Sequence, residues 1–359
     1  MIIDGHVHVF PSQSRSSGYR DVKDPLSVMQ RSVDLLWGRM VSSHMDRKYV
    51  PEPDEDVGFT VGKFGRYHWR KHGQDCWLQR FPVSMEEPEH LPEQMLAHMD
   101  FVGVDMGIIL GGYMEPNWGR EVYVADVIKR WPNRFIGTVM IEYDLTRDDG
   151  YLQGEIGKMT RAVEELGYKG LFSHVPVGQP LDDPRCEPLW KEVVRMGIPA
   201  FINTEAKTKA EYLDQIQQIE SVCRKHPEMQ VLDTHIGQFV RHSRDPQHVD
   251  NPAEFFQLLG LGNFHLEVGY VLSYENWAVW GRDFEYPYPL HEQIIKTIYE
   301  RFGPEALVWG SDMPFAQRTC TYQQNLDTVR LHTEFMSEED RKLVMGDNLA
   351  KLFKVAPTR

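Results

Sequence analysis

With 359 residues, 41% of them hydrophobic, the chain can build two average domains or one large α/β barrel. Lysine and arginine number 39 against 53 aspartates and glutamates, a formal net charge of −14 with no basic block to offset it. Nucleic acid and anionic membrane surfaces are therefore excluded as expected partners, and a small-molecule substrate is expected instead. No basic leader precedes an apolar run, and no stretch reaches the ~18 apolar residues of a membrane span. Cys76, Cys186, Cys223 and Cys320 lie far apart with no CxxC pair, so neither a disulfide framework nor a cysteine zinc site is expected. A cytoplasmic protein is the expectation.

The chain opens with MIIDGHVHVF, an apolar strand carrying His6 and His8 two positions apart. Strand side chains alternate between faces, so both imidazoles project the same way and can reach one ion from one side. After Pro11 the periodicity is lost. Residues 12–88 are polar, aromatic and rich in arginine, and loops of this length in compact domains are usually functional or disordered. Tyr67, Trp69, Trp77 and Phe81 favour order, since disordered segments are poor in aromatics. The segment is expected to fold over something, as a loop or lid inserted into a single domain spanning residues 1–359.

Regular alternation follows. Residues 91–103 have helical spacing, with Leu91, Met95, Met99 and Val102 three or four apart, and 104–110 form a short buried strand. Strands are then expected at 134–141, 168–174, 198–204, 229–235, 263–269 and 306–312. Helices are expected at 151–167, 186–197, 210–226, 252–260, 289–303 and 321–335, with a last helical region over 338–353. Eight strands alternating with helices imply parallel pairing and right-handed crossovers, hence a closed (β/α)8 TIM barrel with a long insertion after strand 1. No GxGxxG follows a strand, so a dinucleotide site in an open sheet is not indicated.

Barrel active sites lie at the carboxyl ends of the strands. The polar residues there are, in order, His6 and His8, Glu142, His174, Asn203 with Thr204 and Glu205, His235, Glu267 and Asp312. Imidazole nitrogen and carboxylate oxygen suit zinc, manganese or iron(II), and an incomplete protein shell leaves a position for water or substrate. Of these, Glu142, Glu205 and Glu267 read as rim or supporting groups.

DGHVH at 4–8, MDFVGVDMGIIL at 99–110, YKGL at 168–171, the strand ending in His235 and Gly237, and WGSDMPF at 309–315 together resemble the amidohydrolase superfamily. The likeness is to the branch of aminocarboxymuconate-semialdehyde decarboxylase and related decarboxylases, hydratases and lactonases. The resemblance implies one divalent metal ion, zinc first and manganese or iron next, and often a homodimer. It makes His6 and His8 first-strand metal ligands, Asp312 the eighth-strand aspartate that binds metal or acts as base, and His235 a ligand or proton donor. The fifth strand departs from the pattern: Asn203 stands where the family usually has a metal-binding histidine, and an amide oxygen is a weaker ligand. Either His174, on the neighbouring fourth strand, replaces it, or the metal is held weakly or not at all.

The expected reaction is hydrolysis of a lactone, ester or amide in a small carboxylated cyclic or aromatic substrate, with Asp312 and His235 in acid–base roles. The alternatives are non-oxidative decarboxylation of a hydroxybenzoate-like or muconate-like acid, and a barrel that binds without catalysis. Guanidinium groups match carboxylates bidentately, which makes Arg66, Arg70 and Arg80 of the insertion candidate substrate clamps. Arg318, just beyond strand 8, is closer to the expected site. The tryptophan-rich stretch 273–289 is expected to cover the barrel mouth or a partner subunit.

Overall fold

The computed structural model describes residues 1–12, 25–37, 40–111, 118–142, 144–175, 179–204, 208–234, 253–269 and 286–355. Strand β1 (Ile3–Val7) is followed by the insertion, with helix α1 (Pro25–Leu36) and strands β2 (Thr60–Val61), β3 (Arg66–Lys71) and β4 (Gln74–Gln79). The barrel resumes with α2 (Pro92–Val102), β5 (Met106–Ile109), α3 (Trp118–Arg130), β6 (Phe135–Met140), α4 (Asp149–Leu166) and β7 (Gly170–Val175). Next come α5 (Glu187–Met196), β8 (Ala200–Thr204), α6 (Lys209–Lys225), β9 (Val231–Asp233), α7 (Ala253–Leu259) and β10 (Phe264–Val268). The last elements are α8 (Pro289–Phe302), β11 (Leu307–Trp309), α9 (Tyr322–Arg330), α10 (Glu338–Lys342) and α11 (Asn348–Leu352).

Eight strands pair in parallel in the order β1, β5, β6, β7, β8, β9, β10, β11. The ends of this sheet meet where Val7 bridges Met313 in parallel, His8 N–H donates to the Met313 carbonyl and Asp312 N–H to the His6 carbonyl. The expected (β/α)8 barrel is thus the architecture found. Helix ends follow their sequences. Thr208 and Glu211 cap α6 reciprocally, Asp148 caps α4, and α2 stops where Gly103 takes a left-handed conformation. Helix α3 is the element that the alternation does not reveal. Its buried face is Val124, Val127 and Ile128, β-branched residues with weak helix propensity that packing against the sheet overrides. Among the described residues, no helix is long and apolar enough to cross a membrane.

Alternation divides the apolar residues into two layers. Ile108, Ile136, Phe172, Phe201, Leu232 and Val308 point into the barrel, where Leu349 and Phe353 at the chain's end close its N-terminal side. The outward residues pack beneath the helices, among them Val139, Leu171, Ile202, Val231 and Leu266. The inner layer is largely apolar in its lower half, with His265 of β10 tied there to Gln230 and the Glu305 carbonyl, and further polar inward groups gather toward the carboxyl ends of the strands.

The insertion leaves and rejoins the barrel at one point. Phe10 and His90 exchange both backbone hydrogen bonds, at 2.8 and 2.9 Å, as an antiparallel bridge. Strands β2, β3 and β4 form an antiparallel sheet, extended by the backbone around Ser42. Tyr67, Trp69, Cys76 and Leu78 on one sheet face join Met29, Val33, Leu36 and Trp37 in a second core that also takes in Phe10 and Phe315 of the barrel. Those two rings stack at 6.1 Å with Phe81 about equally close to both, which seats the insertion beside the carboxyl end of β1.

Candidate metal centre

Strand β1 brings its histidines inward through a break in its register. Asp4 pairs with Gly107 and Val7 with Ile109, so three steps along β1 match two along β5. Asp4 and Val7 both face outward as a result, the first toward Tyr322 of α9 and the second against the Gly107 backbone, while His6 and His8 share the inward side. The Asp4 carboxylate pins this break. It accepts bonds from His6 N–H at 3.0 Å, Ser311 N–H at 2.8 Å, Ser311 Oγ at 2.5 Å and Tyr322 Oη at 2.8 Å. Complete burial pushes the Asp4 pKa up to about 6 even though these bonds favour the carboxylate.

His6 Nε2 and His8 Nε2 lie 3.0 Å apart, and Asp312 Oδ1 is 3.1 Å from His8 Nε2 and 3.4 Å from His6 Nε2. All three side chains are buried, and Asp312 has φ +57°, a left-handed conformation that costs a non-glycine residue about 1–2 kcal/mol. Three electron-pair donors converging on one point repel one another unless a proton or cation lies between them. Two imidazoles and a carboxylate form a donor set suited to zinc, manganese or iron(II). The residues present therefore fit a divalent cation.

Glu267 at the end of β10 supports this centre. Its fully buried carboxylate accepts from His6 Nδ1, at 3.0 Å to Oε2 and 3.1 Å to Oε1, which turns the Nε2 lone pair toward His8 and Asp312. Gly310 gives it room, because a Cβ there would lie 2.7 Å from the Glu267 carboxyl carbon. Burial disfavours charge on His6, but Glu267 and Asp312 outweigh it and hold its pKa up at about 9. His8 moves the other way, pushed down chiefly by burial against the opposing bond to Asp312. A cation at the centre and a proton on His6 Nε2 compete for the same lone pair.

The other sequence-derived candidates are distributed unevenly. The His174 backbone pairs with Asn203, and the Asn203 amide oxygen accepts from Thr234 Oγ1 at 3.1 Å, linking β7, β8 and β9 at the barrel mouth. His235, Glu205, the His174 side chain and residues 273–285 lie outside the described residues. Glu142 is exposed and bonded to Tyr151. Arg318 is separated from the centre by Phe315: its guanidinium carbon is 5.5 Å from that ring, which is 5.3 Å from the His8 ring, and it donates to the Phe315 carbonyl at 3.0 Å, to Met40 Sδ at 3.0 Å and to the Arg80 carbonyl at 3.3 Å. Arg80 is 5.1 Å from the same ring and close enough for its charge to lower the His8 pKa.

Arg66 and Arg70 do not join this group. They stand on the sheet face opposite Tyr67 and Trp69, where Arg66 stacks 4.1 Å from the Trp77 ring and bonds to Gln79 at 2.9 Å. The physical reason is the two-residue period of β3. Once Tyr67 and Trp69 face the core, Arg66 and Arg70 must face away. That same rule, applied to FHLEV, separates His265 and Glu267 from the outward Phe264, Leu266 and Val268. It marks Glu267 as an inward carboxylate in need of a donor, a stronger role than that of a rim group.

A parallel (β/α)8 barrel that closes its first strand on its last through two histidines and an aspartate defines a class of barrel protein with a strand-end site suited to a divalent cation. The family model for amidohydrolases matches residues 3–355, and the chain belongs to that family. Its fold is similar to that of 4-oxalomesaconate hydratase from Rhodopseudomonas palustris, at 13% identity over 99% of this chain and 96% of that one, with a TM-score of 0.56. A probable 2-pyrone-4,6-dicarboxylic acid hydrolase from Acinetobacter baumannii with citric acid bound gives 14%, 98%, 99% and 0.57 in the same order. Dihydroxybenzoic acid decarboxylase from Polaromonas sp. JS666, with manganese and 2-nitroresorcinol bound, gives 15%, 74%, 86% and 0.52. No curated protein matches the chain in sequence.

Proposed function

We propose that this protein is a metal-dependent hydrolase that opens a lactone, ester or amide bond in a small cyclic or aromatic substrate carrying a carboxylate. The observation that carries this reading is the convergence of His6 Nε2, His8 Nε2 and Asp312 Oδ1, within 3.4 Å of one another, on buried side chains. His6, His8 and Asp312 would hold one divalent ion, zinc in the first instance, with Asn203 and His174 as further ligand candidates. When bound, such an ion supplies Lewis acidity toward a carbonyl and lowers the pKa of water from about 15.7 toward 7.

The remaining work belongs to side chains. Glu267 keeps His6 in the tautomer whose Nε2 faces the centre. Asp312, at the edge of that centre, takes the proton from attacking water, and His235 returns one to the leaving group, a task worth roughly 10²- to 10⁴-fold in rate. Arg318, with Arg80 across Phe315, binds the substrate carboxylate, and the aromatic wall of Phe315 excludes water from one side. Membership of the amidohydrolase family supports the reaction class, and the two flanking guanidiniums support an anionic substrate.

The test is metal analysis of the purified protein, followed by turnover of a panel of carboxylated lactones, esters and hydroxybenzoates. About one equivalent of transition metal with ring-opened acid as product is expected. Carbon dioxide released from a hydroxybenzoate without lactone opening overturns hydrolysis in favour of decarboxylation. Absence of both metal and turnover leaves a binding barrel.

A further inference from the structure

The hydrogen bonding of β1 to β5 ends one residue short of the second histidine. Leu110 N–H donates the last bond of that ladder, to the Val7 carbonyl at 3.0 Å, so His8 lies beyond it. The His8 N–H donates to Met313 of the closing segment. Its carbonyl has no strand neighbour and accepts instead from a side chain, His90 Nδ1, at 2.7 Å. His90 is itself fixed by the two-way backbone bridge to Phe10 and is 3% exposed.

That bond settles the tautomer of His90. A carbonyl only accepts, so Nδ1 carries the proton and Nε2 is left as a bare acceptor, buried and without a hydrogen-bond partner among the described residues. An unpaired buried acceptor is costly, and a residue needed only to fill the stem would be better apolar. Phe10 and His98, the rings around it at 6.3 and 5.9 Å, offer packing and leave the Nδ1 donor as the specific contribution.

We infer that His90 is a positioning residue for the metal centre: by holding the His8 carbonyl where the β5 ladder has run out, it fixes the direction in which His8 Nε2 enters the cation site. This rests on the reading of His6, His8 and Asp312 as metal ligands. The insertion is then more than a cover, since its returning strand supplies a piece of the scaffold of the metal ligands. The residue that closes the insertion and the residue that orients His8 are the same.

Asparagine and glutamine separate this role from packing. The asparagine amide nitrogen is bonded to Cγ, as Nδ1 is, whereas the glutamine nitrogen reaches the place of Nε2. Affinity for Zn(II), measured by competition with a chromophoric chelator, and the visible spectrum of the Co(II)-loaded protein are compared in wild type, H90N, H90Q and H90L, with melting of the metal-free proteins as the check on folding. H90N should stay within about threefold of wild type with an unchanged Co(II) spectrum, while H90Q and H90L bind roughly 10- to 100-fold more weakly with altered spectra. Wild-type affinity and spectrum in H90Q and H90L overturn the assignment. So does equal weakening of H90N and H90Q in step with their melting temperatures, which marks a packing role. Failure of the wild type itself to bind either ion overturns the metal-centre reading, and this assignment with it.

Discussion

The barrel and the insertion bury aromatic side chains to a similar degree but secure them differently. The barrel's inner apolar layer draws on seven of the eight strands, all but β10, in a sheet where each strand pairs with the next in parallel. The insertion's core is built from one helix, a small antiparallel sheet and irregular chain, and meets the barrel through Phe10 and Phe315. Those contacts also adjoin the centre, because Phe315 lies against the His8 ring and His90 bonds to the His8 carbonyl. The barrel thus has a fold that is stable by repetition, whereas the insertion has a seat that is shared with the site.

Four measurements would break or sharpen this contrast. The largest effect is expected at the centre, where replacing His6 and His8 together by alanine should abolish stoichiometric metal and lower kcat/KM by about 10³-fold or more with the barrel still folded, as circular dichroism reports. Retained activity would remove the centre from the mechanism.

Next come two aromatic truncations of similar size. Phe201→Ala in the inner barrel and Trp69→Ala in the insertion should each cost about 3–5 kcal/mol. In the first, unfolding should be global. In the second, amide exchange should rise over residues 57–81 while the barrel strands stay protected. One shared transition in both variants would mean that the insertion has no separate stability.

A smaller effect is expected of the arginines. Arg318→Ala and Arg80→Ala should each weaken kcat/KM for a carboxylated substrate by about 10- to 100-fold, the worth of a charge-assisted bond. Arg66→Ala and Arg70→Ala should change it by no more than about twofold, since their sheet face is turned from the centre. Equal losses in all four would show that both faces of the insertion sheet serve a site.

The smallest concerns pH. His291 of α8 is 4% exposed, and burial pushes its pKa down to about 3, so the folded state holds it neutral while the unfolded chain protonates it near 6.5. The unfolded state then binds more protons below pH 6.5. Stability from this group is complete above that pH and is lost as pH falls toward 3, about 2 kcal/mol of it by pH 5. His291→Leu should flatten denaturant-measured stability between pH 7 and 5 by that amount. An unchanged pH dependence in His291→Leu would contradict the assignment of this acid sensitivity to the barrel helix.

Much of the fold and part of the site are legible in the order of residues alone. The alternation of buried strands and amphipathic helices specifies the parallel barrel, because those periods are local and each strand carries its own. His6 and His8 declare a shared face by their spacing, and Asp312 declares itself at the end of the last strand. Helix α3 escapes because its β-branched residues are weak helix formers that only packing makes helical. Glu267 reads as a rim group when taken singly, although the alternation of FHLEV turns it inward. The arginines of the insertion resist ranking, because no period is visible until the aromatic face of β3 is known to be buried.

Sequence by itself determined the strands, their parallel order and the placing of His6, His8, Glu267 and Asp312 at strand ends, since these follow from local periodicity and chain connectivity. Tertiary structure alone decided the contacts between distant segments. It paired Glu267 with His6 across 261 positions, set His90 against the His8 carbonyl across 82, and put Arg80 against Phe315 and Arg66 against Trp77. It also decided the register break at Asp4 that turns both histidines inward, because that break is held by Ser311 and Tyr322 from the far end of the chain. Such contacts depend on which surfaces meet once the barrel closes, and no local pattern records that.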